Sequence, residues 1–283
     1  MELKELHEKI LYPIVRVRAP GEGGKMVGGT GTVIYSKLSK DSKDEYQTFI
    51  LTNHHVIAGA VVVKKEWDSV AEHKVDKAFL TQVDVEVFDY VYMSTVNSSN
   101  SYKADIVAYD EPHDLAVLKL SSPTKNLFVS TLIPKNKIKD LRLFMPIRGC
   151  GCSLAHDPFS TSGEITSIKE VIDNKEYFMT SQNSIFGNSG GAIFLADTGE
   201  QIGVTSRVTG IQLGFGVDMM TWMGFSAAPQ RIYEFVDEQE LKFLYDSKDT
   251  YEAAMKRRES KRRAAMERSS RKSEEEGEDG EGR

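Results

Sequence analysis

Between Ile14 and Val217 the chain is a succession of short β-rich runs separated by polar turns, among them GTVIYS, QTFILTN, LAVLKL and GAIFLAD. Many short strands with regular turn signals predict a sandwich or a barrel rather than an alternating α/β fold. The chain has 283 residues, of which 40% are hydrophobic, so it can form one large all-β domain or two ordinary domains. Two flanking segments, Met1–Leu11 and Pro229–Tyr245, place apolar residues near helical spacing.

Charge and hydropathy argue against two classes of protein. The formal net charge of -6 does not suggest a nucleic-acid binder as a whole. No apolar run approaches the roughly 18 residues of a transmembrane helix. The N-terminus, MELKELHEKILYPIVRVRAP, lacks the basic start, apolar core and small-residue cleavage site of a secretory signal. We therefore expect a cytoplasmic protein that does not associate with membranes.

The two cysteines, Cys150 and Cys152, are separated by one residue in a predicted strand. This spacing has poor geometry for a mutual disulfide, and a chain without a usable disulfide fits a reducing compartment. A zinc site needs about four ligands, and no second Cys/His pair is spaced to complete one. We expect ordinary buried thiols and no bound metal.

The composition changes after Asp246. The segment KRRESKRRAAMERSSRK is basic, and the closing SEEEGEDGEGR is acidic and has nothing to bury. The basic half is compatible with an exposed helix, whereas the acidic half is expected to be disordered. One interpretation is a solvated tail, which is the usual role of charge blocks. The other is an electrostatic tether to an anionic partner such as nucleic acid, or to another protein.

The stretch SIFGNSGGAIF, residues 184–194, surrounds Ser189 with glycines. A nucleophilic hydroxyl needs a base beside it and hydrogen-bond donors aimed where negative charge develops. Without a side chain at Gly187, the backbone can turn sharply and point its N–H, together with that of Ser189, into one cavity. The same composition is also typical of an ordinary glycine-rich turn.

Two other segments each present a titratable side chain beside an apolar run. FILTNHHVIAGA, residues 49–60, carries His54 and His55, which cannot both face one cleft if the segment is extended. YDEPHDLAVLKL, residues 109–120, places Asp114 at the edge of the core, where a carboxylate needs a hydrogen-bonding partner. Taken alone, each is compatible with a structural histidine or a turn carboxylate.

Together the segments stand in the order His, Asp, Ser, which resembles the trypsin-like serine peptidases. Their motifs, TNHHV, DLAVLK and GNSGG, are similar to those of the HtrA/DegP-like branch and its viral relatives, and the similarity covers about residues 14–240. The resemblance implies an all-β fold of two six-stranded antiparallel barrels with a C-terminal helix. The expected boundaries are a peptidase domain over 1–245, with barrels at 14–140 and 141–228 and the helix at 229–245, followed by the charged tail at 246–283.

The resemblance also implies a role for each motif residue. His55, which immediately precedes Val56, corresponds to the general base, Asp114 orients it, and Ser189 attacks the scissile carbonyl. The amides of Gly187 and Ser189 form the oxyanion hole, with Asn188 shaping the loop.

The same resemblance indicates where a peptide binds. The segment GVTSRVTG corresponds to the strand that pairs with the substrate backbone, so Ser206, Arg207 and Val208 would hold an extended peptide as an added strand. Asn183 corresponds to the base of the specificity pocket. It is neutral, so we expect a small or medium apolar side chain there rather than Lys or Arg.

Three features depart from the family pattern. Asn188 stands where digestive members have the aspartate that pairs with a newly cut N-terminus, so activation by that ion pair is not expected. The charged tail stands where HtrA proteins carry a PDZ domain. Residues 64–104 are predicted to be a long insertion.

The predicted function is that of a serine endopeptidase that acts through an acyl-enzyme intermediate, without a cofactor, on an extended polypeptide. The alternative is a catalytically silent protease-fold protein that binds extended peptides as a scaffold, which the charged tail motivates. A metal hydrolase using His54 and His55 is disfavoured, because adjacent histidines lack the i, i+4 helical spacing of shared ligands. The sequence indicates no oligomeric state, and its unusual tail is compatible with a viral or phage origin.

Overall fold

The computed structural model describes residues 1–21, 25–39, 44–68, 73–121 and 125–278. The chain divides into two compact units: the first comprises Met1–Ala60 and Thr81–Phe235, and the second comprises Val61–Leu80 and the chain from Val236 onward. The strands are β1 (Ile14–Pro20), β2 (Met26–Leu38), β3 (Tyr46–Thr52), β4 (Val61–Asp68), β5 (His73–Leu80), β6 (Val83–Val91), β7 (Thr95–Asp110), β8 (Leu115–Leu120), β9 (Thr131–Leu132), β10 (Pro146–Gly151), β11 (Phe159–Ile172), β12 (Lys175–Thr180), β13 (Ala192–Leu195), β14 (Glu200–Leu213) and β15 (Gly216–Ala227).

The α-helices are α1 (Leu3–Leu6), α2 (His54–Ile57), α3 (Pro229–Glu238) and α4 (Tyr251–Glu278). Helix α1 continues as a π-helical turn over His7–Leu11, so the N-terminal segment is helical as its apolar spacing predicted. Short 3-10 segments lie at Ala58–Ala60, Lys135–Asp140, Ser153–Ala155 and Lys242–Leu244.

The first barrel is a closed antiparallel sheet in the order β1-β2-β3-β8-β7-β6, in which β6 pairs back onto β1. Its core includes many β-branched and aromatic residues, which suit a pleated, buried surface, together with leucines and alanines. In β3 three consecutive side chains, Phe49, Ile50 and Leu51, are completely buried, which shows that this strand is covered on both faces. Because β3 is buried, its C-terminal end is held in place, and helix α2 begins two residues after it.

The second sheet has the order β13-β10-β11-β12-β15-β14-β9, and an additional pairing of β13 with β14 joins the ends of its six antiparallel strands. Strand β9 adds to β14 in parallel. The fold is therefore mostly β, with two sheets of the chymotrypsin type and a C-terminal helix, as the resemblance implied. The exact domain boundaries given above stay predictions.

The predicted insertion over residues 64–104 is wrong for much of its length. Strands β6 and β7 lie within it and are both part of the first barrel. The hairpin of β4 and β5 belongs to the second unit. Only the C-terminal part of β7 is buried, so its long polar N-terminal part gave no sign of a barrel strand.

The predicted helix over 229–245 ends earlier, at Glu238. Glu240 adopts a left-handed conformation with φ +57°. The Leu241 N–H donates to the Val236 carbonyl at 2.9 Å, and the Glu240 N–H donates to the Asp237 carbonyl at 3.1 Å. This pair of hydrogen bonds is a Schellman motif, which glycine usually forms, so the non-glycine stop gave no signal in the sequence.

Helix α4 begins after Thr250, whose Oγ1 accepts a hydrogen bond from the Ala253 N–H at 3.2 Å. Arg257 donates from Nη1 and Nη2 to the Asp249 carboxylate, at 3.0 and 2.5 Å, which fixes the first turns of the helix to the preceding loop. The basic half of the tail is helical, and the helix continues to Glu278 in the acidic segment, contrary to the disorder expected there. Residues 279–283 lie outside the described part of the chain. Within the described ranges, no helix combines the length and hydropathy needed to cross a membrane.

Truncating the core of the first barrel should strongly destabilise the chain. We expect Phe49→Ala to lower the free energy of unfolding by about 3–5 kcal/mol, because it removes buried apolar contacts and leaves a cavity. The matched control is Phe215→Ala, since Phe215 is fully exposed. Chemical denaturation of both variants checks this; equal losses would contradict the assignment of the core.

Candidate active site

The side chains of His55 and Asp114 are hydrogen-bonded to each other. Asp114 Oδ1 accepts from the His55 backbone N–H at 2.9 Å, and its two oxygens lie 3.0 and 2.8 Å from His55 Nδ1. The Asp114 residue is 8% exposed, whereas the His55 side chain is 47% exposed. One end of the imidazole is therefore held in the protein while the other part is open to solvent.

His54 and His55 contact different partners, but not because they alternate along an extended strand, as was expected. They lie in the helical turn α2 rather than in an extended strand, so residue alternation does not apply. The His54 ring stacks on the Tyr109 ring, with a centroid distance of 5.3 Å and an interplanar angle of 22°. His54 thus has a structural partner, and His55 is the histidine that contacts Asp114.

Asp114 is held in a fixed position by donors from both barrels. Ser206 Oγ donates to Asp114 Oδ2 at 2.5 Å, and Asn53 Nδ2 donates to the Asp114 backbone carbonyl at 2.7 Å. Burial alone would raise the pKa of the Asp114 carboxyl, but the hydrogen bonds from His55 and Ser206 outweigh it and lower this pKa below its ordinary value. An ionised carboxylate only accepts hydrogen bonds, so it favours the His55 tautomer with the proton on Nδ1 and leaves Nε2 as an acceptor.

The loop that carries Ser189 contains two glycines with positive φ, Gly187 at +96° and Gly190 at +83°. A Cβ at Gly187 would lie 2.7 Å from the Cys152 carbonyl oxygen and 2.7 Å from the Leu154 nitrogen. The Phe186 carbonyl accepts from the Leu154 N–H at 2.8 Å. Because a trans peptide points its C=O and N–H in opposite directions, the Gly187 N–H is directed away from Leu154.

Ser189 lies against the first barrel, close to the residue that follows His55. Its backbone carbonyl accepts from the Thr30 N–H at 2.8 Å. A Cβ built on Gly29 would meet Val56 Cγ2 at 2.6 Å and the Ser189 carbonyl oxygen at 3.1 Å. The bare backbone of Gly29 therefore lets the serine loop approach α2.

Thr30 is a functional candidate that the sequence reading missed. Its completely buried Oγ1 accepts from the Cys152 N–H at 2.8 Å and donates to the Gly187 carbonyl at 2.6 Å. Its own carbonyl accepts from Thr52 Oγ1 at 2.7 Å. Thr30 of β2 thus hydrogen-bonds to the serine loop on both sides of Asn188, at Gly187 and at Ser189. A single threonine within Gly-Gly-Thr-Gly offers no signal beyond its polarity in a buried strand.

Asn188 connects the serine loop to the turn at Ser153. Ser153 Oγ donates to Asn188 Oδ1, and the Gly191 N–H donates to the Asn188 carbonyl at 2.8 Å. The side chain therefore orders the loop through a neutral hydrogen bond. An aspartate with a charged amine partner is not needed for this connection.

The residues predicted to bind substrate occupy different environments. The Ser206 side chain is buried on Asp114, so only its backbone is left for a peptide. Arg207 and Val208 pair with β15, and among the described residues no strand pairs with the other edge of β14 beyond Val204. Asn183 is exposed, and its Oδ1 accepts from Thr221 Oγ1 at 3.4 Å. These assignments stay predictions.

Both cysteines are buried and free, as expected. Burial raises the pKa of the Cys150 thiol and raises that of Cys152 to about 12, so both thiols are neutral at physiological pH. Within the part of the chain that the structure describes, no three His, Cys, Asp or Glu side chains are grouped as metal ligands.

The two-barrel fold and the His55–Asp114 pair beside a glycine-rich serine loop define a trypsin-like peptidase. The chain belongs to the trypsin-like peptidase domain family, whose profile matches residues 29–204. Among solved structures it is similar to that of the HtrA-type protease AlgW with tripeptide, at a TM-score of 0.57 and 19% sequence identity. This match covers 86% of the present chain and 64% of that chain. A comparison with curated proteins finds no significant match.

Removing the Thr30 hydroxyl should loosen the serine loop. We expect Thr30→Val to lower the free energy of unfolding by about 1–3 kcal/mol, because it leaves the Gly187 carbonyl and the Cys152 N–H unpaired in a buried position. Amide hydrogen exchange at Cys152 should accelerate. Thr30→Ser retains the hydroxyl and should preserve slow exchange, and Thr95→Val on an exposed strand is the control. Unchanged exchange in Thr30→Val would contradict this role.

The Asp114 network should make stability depend on pH in the acidic range. Because the folded-state pKa lies below the ordinary value of 3.8, ionised Asp114 stabilises the fold above that pH, and the stabilisation is lost as pH falls through the lowered pKa. The difference in unfolding free energy between wild type and Asp114→Asn should therefore shrink between neutral pH and about pH 3. A difference that stays constant over this range would exclude the charged carboxylate as the cause.

Proposed function

We propose that the chain is a serine endopeptidase that hydrolyses peptide bonds through an acyl-enzyme intermediate. The observation that carries the proposal is the hydrogen-bonded set of His55, Asp114 and Ser206 beside the glycine-flanked Ser189. In this mechanism His55 Nε2 takes the proton of Ser189 Oγ as Oγ attacks the scissile carbonyl, and Asp114 stabilises the resulting imidazolium. His55 then gives the proton to the leaving amine, and water releases the acyl group.

The negative charge of the tetrahedral intermediate requires donors that are already in place. We assign this role to the backbone N–H groups of Gly187 and Ser189. The direction of the Gly187 N–H, opposite to the Phe186 carbonyl held by Leu154, supports the assignment. Asn188 and Thr30 act as positioning residues, because they fix the loop without contacting the substrate.

The substrate is proposed to be an extended polypeptide whose acyl half adds to the open edge of β14, at Arg207 and Val208. Among the described residues, no strand pairs with that edge beyond Thr205, whose backbone bonds Gly190 and Gly191. Asn183 supplies no carboxylate for a Lys or Arg side chain, so a small or medium apolar side chain before the scissile bond is expected.

Reaction with a fluorophosphonate tests the catalytic proposal and separates it from the alternative of a silent peptide-binding protein. We expect wild type to gain one adduct, because Ser189 Oγ is activated by His55. Ser189→Ala and His55→Ala should lose the adduct, as read by intact mass. Ser99→Ala, a serine change on an exposed strand, should react like wild type.

Two results would overturn the proposal. One is a folded wild-type protein that fails to react, in which case retained binding of extended peptides would favour the silent protein. The other is an adduct that persists in Ser189→Ala, which would place the reactive group elsewhere. Thermal unfolding of each variant shows that a lost adduct does not come from a lost fold.

A further inference from the structure

A cavity of about 340 Å³ opens beside the serine loop in the first unit. Gly28 and Gly29 of β2 form one wall, and Phe186 and Gly187 of the serine loop form another. Arg16 and Arg18 of β1 also line it. The cavity therefore combines groups that adjoin the proposed reaction centre with two cationic side chains.

The strand register explains why the arginines reach this space. Arg16 and Arg18 are two residues apart in β1, so both project from the outer face of the first barrel. On β2, Arg16 lies opposite Thr30, and Arg18 lies opposite Gly28. Because Gly28 has no side chain, the space in front of Arg18 stays open.

The arginines of this wall form ion pairs with Glu86 and Asp157. Arg16 Nη1 donates to one oxygen of the Glu86 carboxylate at 2.6 Å, and Arg18 Nη2 lies 2.9 Å from the other oxygen. Arg16 Nη2 also lies 3.4 Å from Asp157, whose side chain is 59% exposed. Asp84, which lies opposite Arg18 on β6, pairs instead with Lys103 at 2.7 Å. Two guanidinium groups thus face two carboxylates, and Arg18 contacts only one of them, Glu86.

Accessible hydrogen-bond donors remain on Arg18. Arg16 is 8% exposed and already bonds Glu86 and Asp157, so it contributes charge rather than a free donor. The Arg18 side chain is 42% exposed and uses only Nη2 in its contact with Glu86. The neighbouring Cys152 thiol is neutral and adds no opposing charge.

The cavity and β14 lie on opposite flanks of Ser189. On the C-terminal flank, the Gly190 N–H donates to the Thr205 carbonyl of β14 at 2.9 Å. On the N-terminal flank, Phe186 and Gly187 line the cavity. A peptide whose acyl half lies along β14 can therefore extend the residues after its scissile bond across the serine loop towards Arg18.

We propose that this cavity is a leaving-group subsite that binds an aspartate or glutamate side chain within the first two substrate residues after the scissile bond. This inference rests on the proposed peptidase function. The carboxylate accepts from Arg18, in the planar geometry that guanidinium groups favour, and Arg16 adds a second positive charge behind it. The subsite makes an acidic residue on the leaving side a specificity determinant.

The test measures cleavage of a peptide library with randomised positions on both sides of the cut. Wild type should favour Asp or Glu on the leaving side. A matched pair of peptides with Glu or Gln at the selected position should differ by about tenfold in kcat/KM, with the difference falling at high salt. Arg18→Gln should abolish the preference, whereas Arg142→Gln, at an exposed arginine that does not line the cavity, should retain it.

The failure of this inference can be distinguished from failure of the proposed function. Labelling by the fluorophosphonate reports on Ser189 without occupying the leaving side. A wild type that labels and cleaves, but shows no acidic preference or keeps it in Arg18→Gln, overturns the subsite alone. If labelling fails, extended peptides that differ only by Glu or Gln at one position are titrated against wild type by fluorescence anisotropy, and equal affinities at every position tested overturn the subsite independently of catalysis.

Discussion

The buried hydroxyl of Thr30 joins the two barrels at the loop that carries Ser189. It accepts from the Cys152 amide and donates to the Gly187 carbonyl, while the backbone of the same residue bonds Ser189 and Thr52. Inside a protein such a connected set of hydrogen bonds is strengthened by low local polarity, and the loss of one member leaves its partners unsatisfied. The position of Ser189 thus depends on the packing of the barrels and not on its own loop alone.

The same dependence applies to the carboxylate. Asp114 belongs to the first barrel but accepts a hydrogen bond from Ser206 of the second, and its left-handed backbone, at φ +56°, places it beside α2. Burial of an ionised carboxylate is costly unless it is hydrogen-bonded, and here the donors come from elements on both sides of the cleft. A displacement of either barrel would therefore disturb the hydrogen bonds of the Asp114 carboxylate and the position of Ser189 together.

The strands and the main site motifs could be predicted because their signals are local. The apolar runs specify strands, and the residues around His55, Asp114 and Ser189 are short contiguous motifs. What sequence reasoning missed depends on long-range contacts or on unusual backbone: the role of Thr30 is set by distant Cys152 and Gly187. The helix stop at Glu240 uses a left-handed non-glycine residue. Much of strand β7 is exposed, so its sequence lacks the apolar alternation of a buried strand, and the segment that contains its first half is predicted to be an insertion.

The proposed subsite for an acidic residue must act through direct contact with Arg18 rather than through the electrostatic field of the whole protein. The formal net charge of -6 opposes the approach of an acidic peptide at long range. At physiological ionic strength charges more than about 8 Å apart are largely screened, so this opposition is weak, and a guanidinium at hydrogen-bond distance determines the preference. Because Gly28 leaves that distance accessible in front of Arg18, the missing side chain on β2 is as necessary to the subsite as the charge on β1.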